Sequence, residues 1–417
     1  MNKTIFLTLV LAVFTTIMLG CRTHSTEPLQ GQPNIRNLDK VESTIVSSDN
    51  SFGFKLFAQI NGSEQNKNVF ISPFSVSMAF GMLLNGANGS TLDSLEQVLG
   101  DAGMSLNDIN NAYKNVSALL TTLDASVTFQ NANSIWYNDG FPVLSNFLTV
   151  NKNYFDAEVD SLDFTLPSAA QTINSWVNTK TNGKIPTIID PTKPPSGIMF
   201  LINAIYYKGT WTYKFDTSGT KDASFTCADG SIATCKLMSQ EDTYAYYEDS
   251  SVQAIDLPYG DRSFSMTVVL PAAGISIDQF ASALTQAQWN TIINKLDSAK
   301  VDLYLPKFTL NFSKSLKDEL KALGMGIVFD PSRADLSHIS SKVGLVVSDV
   351  LHKTYVDVDE EGTEAAAVTA IIFTTAVIGG QPKINIMRID HPFIFAIREH
   401  QSGTVLFIGK VVNPSSS

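Results

Sequence analysis

The chain has few of the residues on which common catalytic and metal sites depend. Its 417 residues include only three cysteines and five histidines. It contains no Gly-x-Ser-x-Gly, no His-Glu-x-x-His, no Cys-x-x-Cys and no Gly-x-x-x-x-Gly-Lys-Ser/Thr. The sequence therefore gives no support for a familiar hydrolase, zinc or nucleotide site, and we predict neither a metal nor a cofactor.

Positive charge is also scarce. The chain has 40 acidic against 29 basic residues, which gives a net charge of -11, and its basic residues form no cluster along the sequence. Nucleic acids and other polyanions are poor partners for such a surface. The hydrophobic fraction of 44% against 17% charged residues is ample for a large core, and length alone leaves the number of domains open.

The longest hydrophobic run of the chain lies at the N-terminus. It covers residues 5–19, which is too short for a spanning helix and typical of an export signal over residues 1–20. Gly20 before Cys21 resembles the lipobox of bacterial lipoproteins, which predicts a lipid on Cys21 and display on the cell envelope, at the outer membrane or cell surface. A plain signal peptide with an incidental cysteine is the alternative. Residues 21–47 are polar and predict a flexible tether.

Residues 360–382 form an unusual connection between two predicted strand regions. More than twenty small and β-branched residues stand where a short polar turn is expected. As a strand, the segment would place Thr363, Ala365, Ala367 and Thr369 on one face, and Gly362 before them permits hinge-like backbone torsions. An Ala-rich helix and an ordinary loop are the alternatives on composition alone.

Several other segments carry strand or helix patterns. Alternation of apolar residues predicts strands over residues 345–350 and 354–359, and again over 383–389 and 392–398. The Ser48-Asp49-Asn50 cluster predicts the cap of the first helix. Residues 199–207 are apolar on both faces, which predicts a strand in the middle of a sheet.

The segment Glu-Glu-Gly-Thr-Glu-Ala-Ala-Ala-Val-Thr-Ala at residues 360–370 resembles the hinge of the serpins, the suicide inhibitors of proteases. Serpin-like signatures also occur around residues 68–75, 199–211, 301–308 and 390–414. The resemblance implies an α+β serpin fold, with a large central β-sheet, two smaller sheets, about nine helices and an exposed reactive-centre loop. It also implies a single domain over residues 48–417.

The resemblance assigns roles to particular residues. The hinge is Glu360, Glu361, Gly362, Thr363, Glu364, Ala365, Ala366, Ala367, Val368 and Thr369. The breach, where the loop would first enter the sheet, is Trp211, Lys307 and Glu360, with Lys307 paired to Glu360. The shutter beneath the central sheet is Ser72, Ser75, Asn203 and His352, with His352 bonded to Asn203. Without the resemblance, Lys307 is a surface charge and His352 a core residue.

The implied function is irreversible inhibition of a serine protease through cleavage, acyl-enzyme trapping and loop insertion, and cysteine proteases are a further implied target. Family spacing places the scissile bond at Ala376-Val377, with Thr375 and Ile378 as nearby alternatives. Small or apolar residues there fit elastase-like or subtilisin-like enzymes.

The chain would act as a monomer. The rival hypothesis is a non-inhibitory serpin that serves as a binding or structural protein, and the small hinge residues argue against it.

Cys227 and Cys235 flank a predicted hairpin turn at Asp229-Gly230. In an exported protein they could form a disulfide. A two-residue turn would set Cys227 opposite Ile232, so the register does not favour the bond, and both states remain open.

Overall fold

The computed structural model describes residues 36–363 and 383–416. The signal segment, Cys21, the hinge beyond Thr363 and the predicted scissile bond lie outside the described residues. Within the described ranges the chain forms nine α-helices and fifteen strands, which confirms the α+β class. The helices are α1 (Lys40–Ser63), α2 (Pro73–Leu84), α3 (Gly89–Leu99), α4 (Leu106–Thr122), α5 (Ser145–Phe155), α6 (Pro167–Lys180), α7 (Ile277–Ala283), α8 (Gln286–Ile293) and α9 (Lys317–Ala322). The strands are β1 (Val69–Ile71), β2 (Val127–Asn138), β3 (Glu158–Leu162), β4 (Met199–Thr210), β5 (Lys221–Thr226), β6 (Ile232–Glu248), β7 (Val252–Tyr259), β8 (Phe264–Pro271), β9 (Asp297–Pro306), β10 (Phe308–Ser315), β11 (Leu351–Val358), β12 (Gly362–Thr363), β13 (Asn385–Arg388), β14 (Phe393–Glu399) and β15 (Val405–Val411).

The described strands form two hydrogen-bonded sheets rather than the three expected. The central sheet has six strands in the order β10-β11-β12-β4-β2-β3. The second has nine, in the order β1-β15-β14-β8-β7-β6-β9-β13, with β5 also paired to β6. β6 is long enough to pair with β5 at its start and with β7 at its end, so it joins what would otherwise be two smaller sheets.

The core lies between these sheets and the helices. Eleven of the twelve α2 residues are buried, and every residue of β14 and β15 is buried. β4 lies inside the central sheet as predicted, between β12 and β2, but its residues alternate between buried and half-buried. Burial of every residue is observed instead in β8, β14 and β15. This packing holds α2, which carries the shutter serines, against the inner face of the central sheet.

The first helix begins earlier than the sequence pattern predicts. We expected a tether to residue 47 and a cap at Ser48, but α1 starts at Lys40 with Asp39 as its N-cap. The Asp39 carboxylate accepts from the Glu42 backbone N–H at 2.8 Å, and the Glu42 carboxylate accepts from the Asp39 N–H at 3.0 Å. This capping box satisfies two donors at the true start of the helix.

The polar residues that resembled a cap have partners far away in the chain. Asp49 accepts a hydrogen bond from the Tyr113 hydroxyl at 2.9 Å. Asn50 donates to the Gly403 carbonyl at 2.8 Å and accepts from the Val405 N–H at 2.9 Å. Their polarity therefore serves tertiary contacts in the middle of α1 and not its N-terminus.

The strand predicted over residues 345–350 does not form. This segment is an irregular connection whose groups bond to other loops: the Val347 N–H donates to the Val328 carbonyl, and the Leu316 N–H donates to the Val350 carbonyl, both at 2.9 Å. Pairing with β10 begins only at Leu351. Leu345 is apolar because it packs in the core, and its apolar character contributed to the strand pattern in the sequence.

Cys227 and Cys235 are both buried free thiols. The turn between β5 and β6 has three residues, because Cys227 and Ser231 pair through a 2.8 Å backbone hydrogen bond, and Cys235 stands opposite Ala223. Cys235 is therefore four residues beyond the position opposite Cys227, or about 13 Å along the strand. A disulfide does not span that distance.

No helix in the described ranges is long and apolar enough to cross a membrane.

Candidate functional site

The end of β11 reverses direction in a tight turn at the start of the hinge. The Asp359 carboxylate accepts from the Glu361 N–H at 2.9 Å, and the Asp359 N–H donates to the Gly362 carbonyl at 3.0 Å. Burial raises the pKa of Asp359, while the backbone N–H groups of Glu361 and Gly362, which donate to its carboxylate, favour its charged form. The turn sends the chain back beside β11 as the short strand β12.

Gly362 is required by close packing at this point. Its φ is +152°, and a Cβ built on it would lie 2.1 Å from the carbonyl oxygen of Gly209. No side chain can occupy that space without moving the backbone of β4. The hinge glycine therefore allows the chain to pass directly against β4.

β12 enters the sheet between β11 and β4. Thr363 stands opposite Val358 on β11 and opposite Gly209 on β4, antiparallel to both. No backbone pairing joins β4 directly to β11 in the described part of the chain. We call the space between these two strands the slot. Its upper end is thus occupied by the first residues of the hinge.

Trp211 holds the hinge turn from the side of β4. Its indole N–H donates to the Asp359 carbonyl, and its backbone N–H donates to the Glu361 carbonyl, both at 2.9 Å. The indole is buried and stacks on Tyr259 with 4.4 Å between ring centroids. Trp211 therefore binds the backbone of the turn and does not depend on the identity of the hinge side chains.

Tyr259 receives the first inward hinge residue. Its hydroxyl and that of Thr363 form a buried hydrogen bond of 2.5 Å, and Thr363 is 2% exposed. Sequence reasoning missed this residue, because Tyr259 lies at the end of β7 and only the fold brings it to the hinge. The inward orientation predicted for Thr363 is observed.

Two ion pairs flank the turn. Lys307 lies 2.5 Å from the Glu360 carboxylate, which also accepts from Thr220 at 2.7 Å. Burial opposes the charged form of Glu360, but the hydrogen bonds from Lys307 and Thr220 outweigh it and hold the pKa of Glu360 below its usual value. Lys214 forms the second pair, 2.6 Å from Glu361, which the sequence did not reveal.

The shutter serines connect α2 to its surroundings. The Ser72 hydroxyl donates to the Leu406 carbonyl at 2.7 Å and accepts from the Ser75 N–H at 3.2 Å. The Ser75 hydroxyl donates to the Asn203 carbonyl at 3.4 Å. Both buried hydroxyls thus have partners, and they tie α2 to β15 and to β4.

His352 and Asn203 do not bond to each other, contrary to the pairing that the resemblance implied. The Ser72 N–H donates to His352 Nε2 at 3.1 Å, and burial lowers the pKa of His352 to about 4. The Asn203 side chain donates to Asn131 and Asn133 on β2 instead. The physical reason is distance: the two residues belong to strands that the slot separates.

A cavity of about 670 Å³ lies along the lower part of the slot. Asn203 and His352 line it, together with apolar side chains of α2 such as Val76 and Phe80. In residues 36–363 and 383–416 no group of three or more His, Cys, Asp or Glu side chains is arranged to hold a metal ion. The site is therefore a space between β4, β11 and α2, with the polar side chains of Asn203 and His352 in its lining.

Comparisons with known proteins agree with this arrangement. A family model described as Serpin (serine protease inhibitor) matches residues 47–414. The chain is 35% identical over 375 residues to Iripin-8 of Ixodes ricinus, across 88% of this chain and 93% of that protein. It is 34% identical over 384 residues to the leukocyte elastase inhibitor of Sus scrofa, across 89% and 99% of the two chains.

Among solved structures, the thermophilic serpin tengpin in its native state matches with a TM-score of 0.80 and 30% identity. The match covers 92% of this chain and 97% of tengpin. Sequence and fold therefore agree over nearly all the described residues. The chain belongs to the serpin family of serine protease inhibitors and is not an enzyme.

Proposed function

We propose that this protein is an irreversible suicide inhibitor of serine proteases that acts by inserting its cleaved loop into the slot. The observation that carries the proposal is β12, which already pairs with both walls of the slot. Beyond Glu364, which is predicted to face outward, the hinge continues with the small residues Ala365, Ala366 and Ala367, which suit continued entry between two strands. Large or charged residues there would favour a non-inhibitory role.

The two registers at Thr363 support a specific path for the rest of the strand. Continued down β4, the register brings Thr369 opposite Asn203. Continued down β11, it brings the same residue opposite His352. The registers on both strands therefore predict the same position for Thr369, between Asn203 and His352 of the shutter.

The driving force follows from ordinary magnitudes. A dozen or so inserted residues would add backbone hydrogen bonds of ~0.5–1.5 kcal/mol each. Burial of Ile371 and Phe373 would add ~1.5–3 kcal/mol apiece. The total rivals the stability of a whole domain, ~5–15 kcal/mol, so the uncleaved state must be held by a kinetic barrier. A protease still bound as an acyl-enzyme would be carried along and distorted.

We propose an elastase-like or subtilisin-like serine protease as the target, with cleavage at Ala376-Val377. A small residue before the cut fits a shallow specificity pocket. One relative is named as an inhibitor of leukocyte elastase, which agrees with that choice. Cysteine proteases also form acyl-enzymes and are the second class to test.

The test is incubation of the chain with pancreatic or neutrophil elastase, and in parallel with subtilisin and papain. We expect an SDS-stable complex with an elastase-type enzyme and release of a small C-terminal fragment whose mass identifies the scissile bond. Cleavage without a complex by every protease would contradict the inhibitory proposal and favour a non-inhibitory binding protein.

We propose further that the protein is exported, lipidated at Cys21 and displayed as a monomer on the bacterial cell envelope. The support is the apolar segment before Gly20-Cys21 and the polar residues after it. Metabolic labelling with a fatty acid tests this, with Cys21→Ala as the unlabelled control. Equal labelling of both chains would contradict it.

A further inference from the structure

A cluster of three asparagine side chains lies beside the middle of the slot. Asn131 and Asn133 are on β2, and Asn203 is directly opposite Asn133 on β4. The Asn203 amide nitrogen donates to the side-chain oxygens of both, at 2.8 Å for Asn133. Its own side-chain oxygen is buried and has no hydrogen-bond partner among residues 36–363 and 383–416.

The orientation of this cluster is fixed from outside it. The Asn133 side chain donates to the carbonyl oxygen of Phe155 at 2.6 Å, and a carbonyl can only accept. Asn133 must therefore direct its NH₂ group to Phe155 and its oxygen to Asn203. Asn203 in turn must direct its NH₂ group to β2, which leaves its oxygen on the other side.

Asn131 repeats the arrangement one position along the same face. Its NH₂ group donates to the Ser117 hydroxyl at 2.9 Å, and its oxygen accepts from Asn203. A flip of the Asn203 amide would set its oxygen against two other acceptor oxygens. Because a hydroxyl can also donate, it is Asn133, held by the Phe155 carbonyl, that fixes the orientation of Asn203, while Asn131 adds a second acceptor that favours it. The Asn203 oxygen remains an unsatisfied acceptor beside the slot.

We infer that Asn131 and Asn133 are positioning residues for loop insertion: by orienting Asn203 they make the slot select a hydroxyl-bearing residue at the position that Thr369 reaches. This inference rests on the proposed function, and its occupant is Thr369 because the registers on β4 and β11 meet there. A buried acceptor without a donor is costly, so an apolar residue at this position is penalised.

The residue across the slot has matching chemistry. The Ser72 N–H donates to Nε2 of His352, so the neutral ring carries its hydrogen on Nδ1. The two residues opposite Thr369 therefore carry one acceptor oxygen and one N–H donor. A hydroxyl group is the smallest side chain that can donate to the first and accept from the second.

A double-mutant cycle tests the inference. Thr369→Val is made in the wild-type chain and in an Asn131→Ala/Asn133→Ala background. Two measurements are taken: the number of inhibitor molecules consumed per protease inactivated, and the thermal unfolding midpoint of the chain cleaved in its loop. Thr369→Ser retains the hydroxyl, and Val368→Thr places one on the opposite face of the strand.

In the wild-type background we expect Thr369→Val to lower the ratio of insertion to release about fivefold, the effect of one lost hydrogen bond. We expect Thr369→Ser to restore most of the ratio that Thr369→Val loses, and Val368→Thr combined with Thr369→Val to restore none of it. In the double-alanine background the Asn203 amide is free to rotate, so the Thr369→Val effect should fall to less than twofold. If the double variant does not fold, Asn131→Ala alone replaces it, because this variant leaves the Phe155 carbonyl satisfied by Asn133. In that background the Thr369→Val effect should lie between fivefold and twofold.

Three results would overturn the inference. The first is a ratio of insertion to release for Thr369→Val that equals the wild-type ratio. The second is a fivefold effect of Thr369→Val that persists in the Asn131 and Asn133 variants. Both leave the proposed function intact. The third is a wild-type chain that forms no complex and gains no thermal stability on cleavage, which removes the proposed function as well.

Discussion

The breach and the shutter lie on the same slot but are in different states. At the breach the slot is filled: β12 pairs with both walls, and Trp211, Tyr259 and Lys307 each contact the hinge turn. At the shutter the walls stand apart, and Asn203 and His352 bond to separate partners. Under the proposed function, β12 is the start of the inserted strand, and passage of the shutter is the step that would follow cleavage.

The two regions also hold their polar groups in different ways. The breach uses charged pairs that remain partly in contact with solvent, whereas the shutter uses neutral groups, with Ser72, Ser75 and His352 buried and Asn203 half-buried. Charged pairs near the surface can exchange partners at low cost. Neutral buried groups demand a specific partner, so we expect the shutter to be the more selective part of the slot.

The largest effect on the breach is expected from Thr363→Arg. A guanidinium in place of a residue that is 2% exposed would be buried against Tyr259 without a counter-charge. We expect the protease to cleave this variant as a substrate, with complex formation reduced at least a hundredfold on SDS gels. Glu364→Arg, on the face predicted to point outward, is the matched control. Undiminished complex formation by Thr363→Arg would mean that the breach does not admit the hinge.

A second way to break the breach is Gly362→Ala. The added Cβ meets the Gly209 carbonyl oxygen, and we expect a net cost of about 1.5 kcal/mol from this clash and the backbone strain, which corresponds to about tenfold. The result should be about a tenfold rise in inhibitor consumed per protease inactivated. Gly274→Ala controls for positive φ alone, since Gly274 has φ +91° and open space around it. Equal effects of the two variants would remove the packing explanation.

The shutter can be tested through pH. His352 has a folded pKa of about 4, below its ordinary 6.5, so the unfolded chain binds the proton first as pH falls. Its contribution to stability is therefore complete at neutral pH and declines below pH 6.5, by about 2 kcal/mol between pH 7 and pH 5. Urea unfolding of wild type and His352→Gln over this range measures it. The difference between the two chains should shrink with falling pH, and a constant difference would contradict the buried neutral state.

The smallest effects are expected from the charged pairs of the breach. Lys307→Met and Lys214→Met should each change the rate of spontaneous loss of inhibitory activity by two- to fivefold, since partly exposed pairs contribute ~0–1 kcal/mol. Lys193→Met removes a more exposed pair with Asp190 and should have no effect. A change above tenfold for either breach lysine would show that charge, and not the backbone contacts of Trp211, holds the turn.

Local patterns predicted much of this molecule. The α+β class, the Pro73–Leu84 helix, the apolar strand from Met199 and the inward side of Thr363 follow from periodicity, caps and turn residues. The errors arose where a polar or apolar residue served a distant partner. Asp49 and Asn50 resembled a cap, and Leu345 resembled part of a strand, because local pattern does not distinguish a local from a tertiary role.

The hinge was the most informative stretch in the sequence, and its residue types allowed a slim, alternating strand after Gly362, of which the structure describes the first residue, Thr363. Only the tertiary structure decided where that strand begins to pair, that Tyr259 and Lys214 meet it, and that the shutter histidine and asparagine face separate partners. Side-chain periodicity is a property of neighbours in the chain, and so it can be read from sequence. Contacts such as Asn133 with Asn203 join residues 70 positions apart, and their geometry exists only once the strands are assembled.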